Sequence, residues 1–317
     1  MTTIIFGLLI GFALLIWSAD RFVIGAVGLA RILNISPLVI GVVIIGFGTS
    51  APELLISGVS AWQGNSGLAL GNAVGSNITN IALILGVTAL LTPILVARQT
   101  LLREFPLLFA SMGLAWYLLR DSVLSLGDAS ILLVTLIIVI GYLATTSENI
   151  EPQVEDNDHQ RDSIAKSLFW TVSGLILLLI SSNILVTSSV KLAHLFGISD
   201  LVIGLTIVAI GTSLPELAAS VTGAIKHHTD LAIGNVLGSN IFNTLGVISV
   251  PGFIGAYTIP GEALTRDFPI MFGVTLFLLL LAYLTHKGKG MYRLSGLLFL
   301  TGFIGYQVTL YIQSVQS

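Results

Sequence analysis

The sequence predicts an all-α polytopic membrane protein, with ten transmembrane helices arranged as two inverted five-helix repeats in which helices 2 and 7 are broken. Three observations carry that prediction. The 317 residues are 55% hydrophobic and 9% charged, whereas a soluble domain of this size carries roughly 25% charged residues. The apolar residues fall in stretches near the ~20 residues that a membrane helix needs. The chain also repeats itself at one fixed offset, and Gly, Pro and Glu interrupt the apolar runs at matching places in both copies.

The predicted spans are 3–30, 37–62, 67–91, 101–119, 127–146, 166–194, 200–225, 230–250, 264–285 and 292–313. The opening stretch "MTTIIFGLLIGFALLIW" has no basic residue ahead of its apolar run and no small-residue cleavage pattern, so it reads as the first span rather than a signal peptide. Lys and Arg are divided unequally among the connections. Arg31, Arg98, Arg103, Arg161, Lys166, Lys226, Lys287, Lys289 and Arg293 fall at odd-numbered connections, but only Arg120, Lys191 and Arg266 at even ones or the termini. That bias predicts a cell (inner) membrane protein with both termini on the extracytoplasmic side. Cysteine is absent, which excludes disulfides and thiolate metal sites, and the net charge of −3 gives no reason to expect a nucleic-acid partner. The sequence contains no phosphate-binding loop, and no protein partner or cofactor is expected beyond the bilayer.

Residues 36–80 align without a gap on residues 199–243, with 23 identities in 45 positions. "REFP" at 103–106 matches "RDFP" at 266–269 in the same register. The repeats are therefore 1–147 and 165–317, joined by the polar cytoplasmic linker 148–164. Five spans is an odd number, so the second copy enters the membrane upside down, as in many secondary transporters. The closest agreement falls on Gly, Thr, Ser, Pro, Glu and Asn, where mere helix packing would match apolar positions best.

The first interruption is "GFGTSAPELLIS" (46–57) and the second is "AIGTSLPELAAS" (209–220). Pro52 lacks an N–H and its ring crowds the carbonyl of Gly48, so the helix is expected to break there and free carbonyls. Free carbonyls in hydrocarbon cost several kcal/mol each, on the order of a lost buried hydrogen bond, unless a ligand such as a dehydrated cation satisfies them. Glu53 and Glu216 supply charge at membrane depth, where an acid costs about 2.5–3.5 kcal/mol even on the lenient insertion scale. No basic residue lies in the cores of spans 2, 3, 7 or 8 to neutralise them. Two carboxylates with hydroxyl and carbonyl oxygens make a hard, all-oxygen site suited to Ca2+.

A second polar set is "GNAVGSNITN" (71–80) with "GNVLGSNIFN" (234–243). Ser76 and Asn80 share a helical face, as do Ser239 and Asn243. Gly71, Gly75, Gly234 and Gly238 have the spacing of close helix packing. Ser57 and Ser220 are expected to bond their own helix backbone. Glu104 and Asp267 are expected near interfacial helix starts, and His227 and His228 in a solvated loop.

The paired motifs "GTSAPE" with "GSNITN" and "GTSLPE" with "GSNIFN" resemble the α-repeats of the sodium/calcium exchanger family, within the calcium:cation antiporters, and most resemble compact prokaryotic members. The resemblance implies Na+/Ca2+ antiport, with Ca2+ ligands at Glu53, Glu216, Thr49 and Thr212. It implies sodium sites at Ser50, Ser76, Ser213 and Ser239 with the backbone of Gly46 and Ala209, and a central polar position at Asn80 and Asn243. It also implies that spans 1 and 6 slide as a gate. Potassium-dependent relatives carry Asp at the position of Asn243, and the Asn here argues against potassium dependence. A proton/calcium antiporter and a cation channel are the alternatives that the residues leave open.

Overall fold

The computed structural model describes residues 2–33, 35–64, 66–145, 163–196, 209–286, 288 and 290–316. Linker residues 148–162, the expected start of span 7 at 200–208, and the basic residues Arg161, Lys287 and Lys289 lie outside the described residues. The described chain is almost entirely helical: α1 (Thr2–Leu33), α2 (Leu38–Thr49), α3 (Ala51–Trp62), α4 (Gly67–Leu91), α5 (Glu104–Leu119), α6 (Leu126–Thr145) and α7 (Ile164–Leu195) make up the first part. The rest comprises α8 (Ala209–Thr212), α9 (Leu214–Ile225), α10 (Thr229–Ile254), α11 (Ala263–Thr285) and α12 (Arg293–Gln316).

Among the described residues, seven single helices are long and apolar enough to cross a membrane. The pair α2–α3, bent by 41°, makes an eighth. The 16-residue α5 and the 12-residue α9 are shorter than a full span. The chain is a multi-pass membrane protein.

Burial sorts the helices into a centre and a shell. The apolar window of α10 is wholly buried and that of α4 is 72% buried, against 22–28% for α1, α6, α7, α11 and α12. The central helices are therefore the ones carrying the Ser and Asn motifs, and the outer ones turn Leu, Ile and Phe outward, as lipid contact requires. A two-stranded antiparallel pair, β1 (Val123–Leu124) with β2 (Tyr257–Thr258), ties two connections together.

α1 and α7, at 32 residues each, are the longest helices and pack against each other. Gly11 approaches Leu185 and Gly25 approaches Thr171, so the two helices run antiparallel. A Cβ added at Gly174 would lie 2.7 Å from the backbone nitrogen of Phe22, so only glycine admits this approach. The Arg21 guanidinium lies 5.3 Å from the Trp170 ring and 5.9 Å from that of Trp17, adding cation–π attraction across the pair.

α2 and α10 approach just as closely. A Cβ at Gly46 would meet the Ser239 nitrogen at 2.8 Å, and one at Gly238 would meet the Val42 Cα at 2.5 Å. Gly234 and Gly238 thus do the packing their spacing predicts, whereas Gly71 and Gly75 do not: a Cβ added at either meets no atom within 4 Å. Wide, π-helical turns occur at Gly41–Ile45, Asn80–Leu85, Asn243–Val247 and Ala263–Asp267. Two of them open on Asn80 and Asn243, 163 residues apart (243 − 80). Such turns insert a residue, re-aim the side chains around them and cluster at functional sites.

Candidate functional site

The site grows from the two helix breaks. Ser50 (φ −81°, ψ 6°) and Ser213 (φ −88°, ψ 6°) leave helical geometry in nearly the same way, and α3 and α9 restart immediately after them. Pro52 and Pro215 sit in the first turn of these half-helices, where a missing N–H costs nothing. Glu53 and Glu216 follow in that same turn, where the helix dipole favours negative charge. The first break is gentler than the motif suggests, because its carbonyls are engaged. The Gly46 carbonyl accepts from the Ser50 N–H at 3.2 Å and from the Ser239 hydroxyl at 3.3 Å, and the Thr49 hydroxyl donates to the Ile45 carbonyl at 3.0 Å.

Both glutamates are completely buried, at 0% exposure. The Ser76 hydroxyl donates to Glu53 Oε1 at 3.4 Å, and the same carboxyl is hydrogen-bonded by Thr212 from the other half of the chain. Ser50 donates to Glu216 Oε1 at 3.4 Å, and Thr49 stands beside that carboxyl. Each glutamate is thus held by the opposite break, and the two carboxyl groups are close enough to act on one another electrostatically. These contacts lie at the long end for hydrogen bonds to a carboxylate. The second oxygen of each, Oε2, is buried with no hydrogen-bond partner among the described residues. So are Ser213 Oγ, Asn80 Oδ1 and both amide atoms of Asn243.

The predicted residues therefore gather in two linked groups. Glu53, Ser76 and Thr212 form one. Glu216, Thr49 and Ser50 form the other, and Ser239 joins it 3.5 Å from the Thr49 hydroxyl. Asn80 and Asn243 are fully buried, but no hydrogen bond from either to a glutamate is formed. Ala209 opens α8, three residues before Thr212. A cavity of about 300 Å³ reaches Ser76 and Thr212 and is also lined by Asn72, Arg266, Asp267 and Tyr306. No group of three or more His, Asp or Glu able to hold a metal occurs among the described residues, and the acids in the first turns of the half-helices are Glu53 and Glu216.

Two residues that the sequence reading passed over support the glutamates from behind. Asn72 donates to the Glu53 carbonyl at 3.0 Å and to Ser57 Oγ at 3.2 Å. Asn235 repeats this with the Glu216 carbonyl at 3.1 Å and Ser220 Oγ at 2.8 Å, and its own Oδ1 accepts from Thr49 at 3.2 Å. The signal was present in the "GN" that both motifs share. Ser57 and Ser220 accordingly take a different role from the one expected: Ser57 donates across to the Ala69 carbonyl at 3.0 Å, and both hydroxyls accept these amides. Glu104 and Asp267 do stand near helix starts, yet they are buried and paired with the preceding Arg103 (2.6 Å) and Arg266 (2.8 Å).

Replacing Asn235 by Leu removes the amide that ties Glu216, Ser220 and Thr49 together. The expected result is destabilisation of about 1–3 kcal/mol, the cost of stranding buried polar partners, seen as a lower Tm of the purified protein. An unchanged Tm would show that the clamp carries no stabilisation.

Half-helices inside an apolar bundle, with buried carboxyl groups in their first turns and spare buried oxygens around them, are features found in secondary cation transporters. The profile of the sodium/calcium exchanger protein family matches residues 3–145 and 166–312, and the chain belongs to that family of cation/Ca2+ antiporters. Over 96% of its length it is 46% identical to the protein CaxA of Alkalimonas amylolytica, covering 97% of that chain. It is 30% identical to the sodium/calcium exchanger MaX1 of Methanosarcina acetivorans, again over 96% of this chain and 97% of the other. The solved structure of the sodium-calcium exchanger NCX_Mj, soaked with zero Na+ and Ca2+, superposes with a TM-score of 0.85 at 31% identity, covering 98% of this chain and 99% of that one.

Proposed function

We propose that this protein exchanges Na+ for Ca2+ by alternating access at a site built on Glu53 and Glu216. The observation that carries the reading is the pair of fully buried glutamates, each braced by the opposite break and each with an oxygen that the protein leaves unbonded. Glu53, Glu216, Thr49 and Thr212 bind Ca2+. Ser50, Ser76, Ser213 and Ser239, with the backbone of Gly46 and Ala209, bind Na+ alongside them, and Asn80 and Asn243 complete the ring. Two carboxylates neutralise one Ca2+ or share more than one Na+. Carrying both charges empty across a low-dielectric barrier is unfavourable, so the carrier turns over only when loaded. That coupling is what makes it an exchanger rather than a leak.

The architecture that goes with this mechanism is ten spans in two inverted repeats, 1–147 and 165–317, with both termini outside an inner membrane. The hydrogen bonds repeated at an offset of 163 support it: Asn72 to Glu53 and Ser57 is matched by Asn235 to Glu216 and Ser220. The long antiparallel pair α1–α7 is the candidate sliding gate.

Protons are the rival coupling ion, because two buried glutamates without a basic partner can release Ca2+ on protonation. Uptake of ⁴⁵Ca2+ into proteoliposomes decides between them. Vesicles loaded with Na+ and diluted into Na+-free buffer at fixed pH are expected to accumulate Ca2+, and choline-loaded vesicles are not. Uptake that ignores Na+ and follows an imposed pH gradient would transfer the assignment to H+/Ca2+ exchange. Flux that does not saturate and shows no counterflow would indicate a channel.

A further inference from the structure

Behind the glutamates lies an amide network in which the two repeats are not equivalent. Asn77 and Asn240 occupy matching positions (240 − 77 = 163), as do Asn80 and Asn243. Asn240 Nδ2 donates to the backbone carbonyl of Asn77 at 3.2 Å, and Asn80 Nδ2 donates to Asn240 Oδ1 at 3.1 Å. A backbone carbonyl can only accept. It therefore forces the Asn240 nitrogen toward itself and the Asn240 oxygen toward Asn80, which must then donate. With its nitrogen turned to Asn240, Asn80 has its oxygen aimed away from that contact, and Oδ1 is buried without a partner among the described residues.

Exact symmetry would give Asn243 the same restraint, through a bond from its Nδ2 to Asn77 Oδ1. That bond is unmade, and donor and acceptor are both left buried and unpartnered. Asn77 is engaged elsewhere: its Nδ2 donates to Thr244 Oγ1 at 2.8 Å and to Met271 Sδ at 3.3 Å. Thr244 is where the repeats differ, since its counterpart (244 − 163 = 81) is Ile81, which has no hydroxyl. One substitution between the halves thus diverts Asn77 and releases Asn243.

We infer that Asn240 is a positioning residue that fixes Asn80 as an oxygen-only ligand of the transported cation, while Thr244, by holding Asn77, leaves Asn243 an amide free to turn. The site then has one fixed and one adjustable amide. The adjustable one can turn its oxygen toward a bound cation. This inference rests on the cation-site reading above.

The test compares Asn240→Leu, Thr244→Val and Thr244→Ser in proteoliposomes, and follows side-chain amide hydrogen exchange by NMR on protein labelled with ¹⁵N-asparagine. Asn240→Leu is expected to raise the half-saturating Na+ concentration about tenfold, equivalent to 1.4 kcal/mol, with the maximal rate held within about twofold. The Asn80 amide protons, protected in the wild type, are expected to lose their protection. Thr244→Val is the milder change should Asn240→Leu fail to fold. It is expected to slow exchange of the Asn243 amide protons and to alter half-saturation by Na+, whereas Thr244→Ser, which keeps the hydroxyl, restores wild-type behaviour. An Asn80 amide indifferent to Asn240→Leu would overturn the inference. So would variants that lower the maximal rate equally for both ions with half-saturation unchanged, because that is the signature of a purely structural role. Wild-type protein that neither transports nor gains thermal stability from Na+ or Ca2+ would overturn the cation reading itself, and the amide exchange would still judge the hydrogen-bond assignment separately.

Discussion

Glu216→Gln is expected to abolish Ca2+ uptake and, in ion-free buffer, to raise the Tm. The two effects have one cause. The wild-type carboxyl is fully buried, lies near Glu53 and has an oxygen without a hydrogen-bond partner. Gln keeps the shape and removes the charge, so the empty protein is relieved of an unfavourable burial. The bound state loses a charged ligand. Breaking a buried charge pair costs about 3–5 kcal/mol, at least a hundredfold in affinity. The stabilisation that Ca2+ gives the wild type by binding only the folded state should vanish as well. Glu53→Gln is expected to behave in the same way, since Glu53 too is fully buried, accepts one serine hydroxyl and has an unpartnered Oε2. Thermal melts with and without Ca2+, run beside the flux assay, provide the check. A fall in Tm accompanying the loss of transport would mean that the glutamates are structural.

Gly238→Val is expected to have the largest effect on assembly. A Cβ at this position would stand 2.5 Å from both the Cα and the carbonyl oxygen of Val42. Both sides of the contact are helical backbone, so no side chain can swing aside. Overpacking of this kind costs about 1–3 kcal/mol or more, and at about 2–4 °C per kcal/mol the Tm should fall on the order of 10 °C. The contact also sets the site, because α2 carries Thr49 and Gly46 against Asn235 and Ser239 of α10. Transport should therefore drop even in protein that survives purification. Gly238→Ala isolates the Cβ itself. Wild-type stability in both variants would show that α2 and α10 can separate without consequence.

The membrane class was legible without coordinates, because it is written in residue types, and the same residue types nominate the two glutamates as the candidate site. Glu has no reason to sit in an uninterrupted apolar stretch, and a repeat at one offset shows which polar residues belong together. Asn72 and Asn235 were visible in the matched motifs, but nothing in residue type says that they brace a glutamate carbonyl rather than bind an ion. Ser57 was misread for a related reason. A serine in a helix is assigned its own backbone by default, and only packing shows that the Ala69 carbonyl on the next helix is within reach. The wide turns that open at Asn80 and Asn243 have no composition of their own that a sequence pattern could reveal.

The sequence by itself determined that this chain lives in a membrane, that it is duplicated, and that two glutamates in Pro-broken stretches hold its charge. Those conclusions depend on transfer free energy and backbone valence, which act residue by residue. Only the tertiary structure decided that each glutamate is held by the opposite break, that glycines bring α2 and α10 into backbone contact, and that Asn80 is tethered while Asn243 is not. These are relations between atoms 160 to 190 residues apart in the chain, and distance, which no local rule of sequence encodes, settles each of them.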